Sequence, residues 1–152
     1  MSDTSNNQPA VADALNALLA DSFALYLKTK NYHWHVKGPS FRSLHLLFDE
    51  QAAQILATTD LIAERVRKNG AATLRSIGDI SRRQSIKDDD AASVDAETMV
   101  RNLAADNETL LAQLKDAKTA AEADGDIATS GLVDGWADET QQRIWFLNAT
   151  LG

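Results

Sequence analysis

The chain contains no cysteine, which excludes disulfide frameworks, thiolate metal sites and cysteine nucleophiles. Only 2 Pro and 7 Gly occur in 152 residues, too few breakers for a many-turned β sandwich or barrel. No apolar run approaches the roughly 18 residues that would span a bilayer. The opening MSDTSNNQPAVAD has neither the basic start nor the apolar stretch of a secretory signal, so a cytoplasmic protein is expected. Basic residues are the scarcer sign. Fifteen Lys and Arg against 22 Asp and Glu leave a net charge of −7, which disfavours nucleic acid and favours cations as partners.

What is present is an ordinary one-domain composition, 44% hydrophobic and 24% charged. Residues 1–9 are polar, end at Pro9 and read as a flexible tail, with one domain over 10–152. From Ala10 to Lys37, Leu15, Leu18, Leu19, Phe23, Leu25 and Tyr26 recur mainly at three- and four-residue steps, one face of a helix. The row 15, 19, 22, 26, 29 extends to His33, and Gly38-Pro39 stops the helix. Ser40 to Lys68 carries Phe41, Leu44, Phe48, Ile55, Thr59, Ile62 and Val66 in one row, stopped by Asn69-Gly70. Residues 71–92 have no sustained period and read as a long connection with one short helix near Ile77 to Arg83. Ser93 to Ala123 aligns Met99, Leu103, Leu110, Leu114, Ala117 and Ala121. Gly125 breaks that helix, Asp126 caps the next, and Ile127 to Leu151 carries Val133, Trp136, Ile144 and Leu147. The pattern is all-α: a four-helix bundle with a long central connection that holds a short extra helix.

All three histidines, His33, His35 and His45, fall within thirteen residues, and Asp49, Asp60 and Glu64 follow. His45 and Asp49 are four apart, as are Asp60 and Glu64, so each pair shares a helix face and can chelate one ion. With His45 set at zero, Asp49 falls near +40°, Asp60 near +60° and Glu64 near +100°, while the apolar row lies between about −40° and −120°. Ala53 and Leu56 occupy the polar arc between the two pairs, which suggests a face buried against something else. The centres of the pairs are about 22 Å apart along the helix, so one site cannot use both from one chain. If two copies cross antiparallel about a two-fold near Gln54-Ile55, His45 and Asp49 of one meet Asp60 and Glu64 of the other, with His33 completing the first half. An intrachain di-iron centre would need Glu-x-x-His motifs, and none exists. Imidazole with carboxylate suits iron, manganese or zinc. The competing reading is a structural histidine and a solvated acidic face. Trp34, Trp136 and Trp145 read as packing residues, the alternative being a Trp that intercepts an oxidising equivalent beside a redox metal.

The blocks His33-Trp34-His35-Val36-Lys37-Gly38, Phe41, Leu44-His45, Phe48-Asp49 and Asp60-Leu61-Ile62-Ala63-Glu64-Arg65 resemble the Dps family, the mini-ferritins or DNA-binding proteins from starved cells. The intervals 12, 4, 11 and 4 between the five ligand candidates match, and the likeness runs through Gly125-Asp126 to Ile144-Trp145-Phe146-Leu147. The resemblance implies a ferritin-like bundle assembled into a hollow homo-dodecamer, with ferroxidase sites at two-fold interfaces. It assigns His33, His45 and Asp49 to one chain and Asp60 and Glu64 to its mate, as catalytic residues and iron ligands. The implied reaction is oxidation of Fe(II) by hydrogen peroxide in preference to dioxygen, with ferric mineral stored inside the shell.

Two features depart from the family pattern. His35 stands where many members have Asn, and it either ligates a second iron or only hydrogen-bonds, the second being favoured. The family's acidic pores lie near the start of the last helix, where Asp126, Asp134 and Asp138 stand with Glu122 and Asp124. A frequent pore acid is replaced by Gly131. DNA binding is not expected, because the tail has no base and the net charge is −7. A patch of Arg75, Arg82, Arg83 and Lys87 keeps open the alternative of a nucleoid-associated, DNA-protecting protein with a secondary iron site.

Overall fold

The computed structural model describes the backbone of residues 4–152, with side chains from Pro9 onward. Among the described residues there are five helices and no strand: α1 (Thr4–His35), α2 (Phe41–Lys68), α3 (Ile77–Arg83), α4 (Ala96–Asp124) and α5 (Ile127–Ala149). The all-α bundle with a short helix in its central connection is the expected architecture, and α3 has the expected bounds. Of the nine residues read as a tail, six belong to the backbone of α1. Residues 1–3 are not described, and the backbone of 4–8 continues α1.

Each boundary has a local cause. Val36 N–H still bonds Tyr32 O at 2.9 Å, after which Gly38 takes φ +107°, ending α1. Gly70 at φ +83° closes α2 in the same left-handed region, as Gly125 at φ +69° closes α4. Asp126 caps α5 as expected, its carboxylate accepting Thr129 N–H at 3.0 Å. Asp95 does the same for α4 through Thr98 N–H at 2.9 Å, so that helix starts three residues later than the apolar pattern implied.

α1 packs against α2 and α4, α4 packs on α5, and α3 lies on α1. The core is continuous through Leu15, Leu18, Leu19 and Leu25 of α1, Phe48, Ile55, Ile62 and Val66 of α2, Met99, Leu103 and Leu114 of α4, and Val133 and Leu147 of α5. These are the apolar rows read from periodicity, each side chain contributing about 1.5–3 kcal/mol on burial. Over Pro9–His35, α1 is long and apolar enough to cross a membrane by length and composition, yet more than half of its most apolar 18-residue window is buried in the bundle.

Three expected packing residues are not buried. Phe41 is 43% exposed at the first residue of α2 and stacks on His45 instead, with ring centroids 4.9 Å apart. Trp34 and Trp145 are 57% and 66% exposed, and Trp136 alone of the three tryptophans is buried. Helical period put Phe41 in the apolar row of α2, but period alone does not say whether an element covers a face, and the described bundle leaves all three residues open.

Polar groups tie the connection to the bundle. Asp21 is fully buried and its carboxylate accepts Ser85 N–H and Ile86 N–H, both at 2.8 Å, with Ser85 Oγ–H at 2.6 Å and the Gln113 amide. Lys28 donates to Lys87 O at 2.8 Å and pairs with Asp106 at 2.9 Å. Arg143, also buried, donates to Asn107 Oδ1 at 2.9 Å, Thr140 Oγ1 at 3.0 Å and Glu139 at 3.2 Å, and burial pushes its guanidinium down to about 10. It stays charged at neutral pH, and its hydrogen-bond donors fill the polar centre of the bundle.

Candidate metal centre

His33 lies in the last turn of α1, and His45 in the second turn of α2. The two histidines hold each other, each ring on the other's own backbone carbonyl. His33 Nδ1 is 2.6 Å from His45 O, and His45 Nδ1 is 2.7 Å from His33 O. A carbonyl only accepts, so both Nδ1 atoms carry the proton and both Nε2 atoms are left with a free lone pair. His33 O belongs to a helix end whose carbonyls lack intrahelical donors, so the His45 ring also satisfies an orphan acceptor. The rings stack with centroids 3.9 Å apart at 14°, and Phe41 covers the outer face of His45. A ring N–H given to a backbone carbonyl is the usual way a protein fixes the tautomer of a metal-binding imidazole.

Asp49 stands one turn further along α2. Its Oδ1 is 3.7 Å from His33 Nε2, a separation that one ion at about 2.1 Å from each atom can bridge. Lys30 Nζ sits 2.7 Å from the same oxygen and 5.8 Å from the centroid of the Trp34 ring. The Lys30 ammonium, hydrogen-bonded to Asp49, holds that carboxyl below the usual carboxylate range. Periodicity did not single out Lys30. The signal available was its spacing of three before His33, which puts both on one side of α1.

Asp60 and Glu64 lie on the same side of α2, further along, and both are exposed. Between them and the histidines run Ala53, Leu56 and Ala57, also exposed, with Leu46 and Leu61 alongside. Among the described residues of one chain, no three or more His, Asp or Glu side chains come together closely enough to hold a metal. One chain therefore brings His33 against His45 and against Asp49, and leaves Asp60 and Glu64 apart from them.

The accessory residues divide. His35 is exposed, and its Nδ1 contacts Asn31 O at 2.8 Å and Asn31 Oδ1 at 2.7 Å. Of the acids near α5, Asp126 has both oxygens engaged. Oδ1 takes Thr129 N–H, and Oδ2 takes Thr129 Oγ1–H at 2.6 Å and Asn69 Nδ2–H at 3.1 Å. Asp134 is paired with Lys118 at 2.7 Å, while Asp138, one turn on, is exposed and has no ion-pair partner among the described residues. In the basic patch, Arg82 and Arg83 both turn to Asp79, at 3.5 and 3.1 Å.

The class of protein follows from fold and sequence together. A ferritin-like domain model matches residues 12–152, nearly the whole described chain. The chain is 33% identical to a DNA protection during starvation protein of Brevibacillus brevis, over 95% of this chain and 96% of that one. It superimposes on the Dps structure from Thermosynechococcus elongatus with a TM-score of 0.94 at 28% identity, covering 99% of this chain and 96% of the other. It also matches a Dps protein from Vibrio cholerae, described as a member of a broad superfamily of ferritin-like diiron-carboxylate proteins, with a TM-score of 0.91 at 31% identity over 97% and 92% of the two chains. The chain belongs to the Dps family of ferritin-like proteins.

Proposed function

We infer that this chain is the subunit of an iron-storing mini-ferritin that oxidises Fe(II) at sites shared between two copies. The observation that carries the reading is the reciprocal lock of His33 and His45, which leaves both Nε2 atoms unused, that of His33 3.7 Å from Asp49, while Asp60 and Glu64 stand exposed further along α2. Iron is the substrate. Nitrogen and carboxylate donors in this mixture suit it, as they also suit zinc and manganese. The diiron-carboxylate description of the Vibrio cholerae relative favours iron among the three.

An antiparallel pairing of α2 with its copy brings Asp60 and Glu64 of one protomer to the histidines of the other and covers the exposed Leu56 and Ala53. The stacked rings divide the work. Parallel planes 3.9 Å apart do not let one ion lie in both, so His33 and His45 serve different ions. Two ions held side by side supply the two electrons that hydrogen peroxide needs: two Fe(II) become two Fe(III) as one peroxide is cleaved to two hydroxides. Paired delivery avoids the one-electron step that releases a hydroxyl radical. The carboxylates stabilise the harder ferric product, and the protein contributes positioning and charge. Dioxygen is the slower oxidant in this reading, the shell is a homo-dodecamer, and the particle is cytoplasmic.

Iron entry is placed near the start of α5, with Asp138 and Asp134 as the acids and Asp126 chiefly a cap. Asp134→Asn slows uptake at low Fe(II) by less than twofold, because Lys118 already offsets that charge; stopped-flow absorbance measures it. The competing reading, a DNA-protecting protein with a secondary iron site, is favoured by the name of the Brevibacillus brevis relative. Against it stand the charge of −7 per chain and the pairing of Arg82 and Arg83 with Asp79. Retention of plasmid in a gel shift at low salt favours it.

The deciding experiment is anaerobic Fe(II) loading, then substoichiometric hydrogen peroxide, then size-exclusion chromatography. Ferric absorbance co-eluting at about 200 kDa, the mass of twelve 16.5 kDa chains, supports the proposal. An intact particle that oxidises iron no faster than buffer does overturns the ligand assignment.

A further inference from the structure

We propose that Asp89, on the connection between α3 and α4, is a positioning residue for the metal centre: it clasps the last turn of α1 and so sets the places of both histidines. This rests on the function proposed above and deepens it.

The last turn of α1 is held on its α2 side by the buried Tyr32 and Val36 and by the His33–His45 lock, and the chain just beyond it is open. The helix ends at His35, and Lys37 through Phe41 are exposed. Terminal turns fray unless other groups pin them. Asp89 reaches this turn at two successive residues. Its carboxylate Oδ2 accepts the Tyr32 hydroxyl at 2.5 Å, and its backbone O accepts Asn31 Nδ2–H at 2.9 Å. Its other carboxylate oxygen takes Ala91 N–H at 3.1 Å, which stiffens the connection at the point of contact. Tyr32 is buried, receives Asn102 Nδ2–H at 3.0 Å from α4, and packs its ring against Phe48, 6.4 Å between centroids. Asn31, with its amide NH₂ given to Asp89, presents Oδ1 to His35.

The clasped residues, 31 and 32, immediately precede His33. That residue contributes twice to the centre, through its ring and through the carbonyl that fixes the His45 ring. A shift of this one turn therefore misplaces both imidazoles. The connection itself is anchored at its near end by Asp21 on Ser85 and Ile86, and by Lys28 on Lys87 O, so Asp89 is held against a fixed strap. The groups facing the clasp from α1 and α4 are Lys28, Asp106, Asn102 and Tyr32.

The test is Co(II) titration of the assembled protein, followed by its d–d absorption. Asp89→Ala weakens Co(II) binding by about three- to tenfold and changes the band shape, less than the 10–100-fold typical when a direct partner of a metal ligand is lost. Asp89→Asn, whose amide oxygen still accepts the Tyr32 hydroxyl, restores most of the affinity. A simple loss of stability would not produce the spectral change with particle size intact. Wild-type titration and spectrum in Asp89→Ala overturn the proposal. If that variant does not assemble, Tyr32→Phe decides: weakened Co(II) binding supports the clasp, and unchanged binding overturns it. If the wild-type protein takes up no Co(II), the functional reading fails instead. Hydrogen exchange at the amides of residues 33–36 then judges the clasp: faster exchange in Asp89→Ala supports it, and unchanged exchange refutes it.

Discussion

The two ends of α2 carry the same kind of residue in opposite states. At the N-terminal end, His45 and Asp49 are engaged with α1: ring to backbone, backbone to ring, and carboxylate to Lys30. At the C-terminal end, Asp60 and Glu64 are exposed and make no side-chain hydrogen bond or ion pair among the described residues. The difference teaches which half of the centre a single chain can prepare. Imidazoles have two chemically distinct nitrogens, so one can be spent on orientation while the other stays available. A carboxylate that is oriented by a strong partner is also partly neutralised, as Asp49 is by Lys30. Asp60 and Glu64 stand bare by contrast, and on the proposed function the exposed Leu56 between the two ends belongs to the face that a second copy would cover.

The contrast can be broken most completely at the surface between the ends. Leu56→Glu places like charges on the self-pairing face, so the shared sites do not form. The expected outcome is loss of the large particle on a sizing column together with loss of iron oxidation. Next in size, Asp60→Asn leaves that surface intact but removes a ligand from the bare end. Oxidation falls to the rate in buffer while the particle elutes unchanged, and iron-oxidation kinetics with light scattering check both halves. Lys30→Met sharpens the comparison from the other end. It frees Asp49 of its internal cation, and Co(II) binding tightens several-fold at constant stoichiometry, as calorimetry would measure.

The smallest effect concerns pH. The Tyr32 hydroxyl, with Ala91 N–H, holds the Asp89 carboxyl below its ordinary range. An acid with a lowered folded-state value stabilises the fold above its unfolded value of about 3.9, and that contribution disappears as pH falls through the folded value. Tyr32→Phe removes the main cause. Its urea midpoint therefore lies below wild type at pH 6, and the gap narrows below about pH 4. A gap that is constant with pH would show that the phenol contributes packing alone.

Much of this was legible in one dimension because helices are local. The apolar rows of α2, α4 and α5 are the buried rows, and the five candidate ligands were found by spacing on a helix. The positions that escaped are those set by contacts between distant parts of the chain. Asp21 meets Ser85 and Ile86 more than sixty residues away, and no period marks a buried acid whose partners are backbone N–H groups. Asp89 meets Tyr32 from a connection without sustained periodicity. Phe41, Trp34 and Trp145 misled for the complementary reason: period places a side chain on a face but does not say whether anything covers it.

The sequence by itself determined the helices, their stops at Gly38, Gly70 and Gly125, and the placing of His45, Asp49, Asp60 and Glu64 on one arc, since all of these follow from the turn of a helix and the conformations that glycine allows. Only the tertiary structure decided that His33 and His45 lock each other, that Lys30 occupies Asp49, and that the crossover is strapped to α1 through Asp21 and Asp89. Those depend on which carbonyls and carboxylates come within hydrogen-bond reach once α1, α2 and the connection are packed, and spacing along the chain carries no record of that distance.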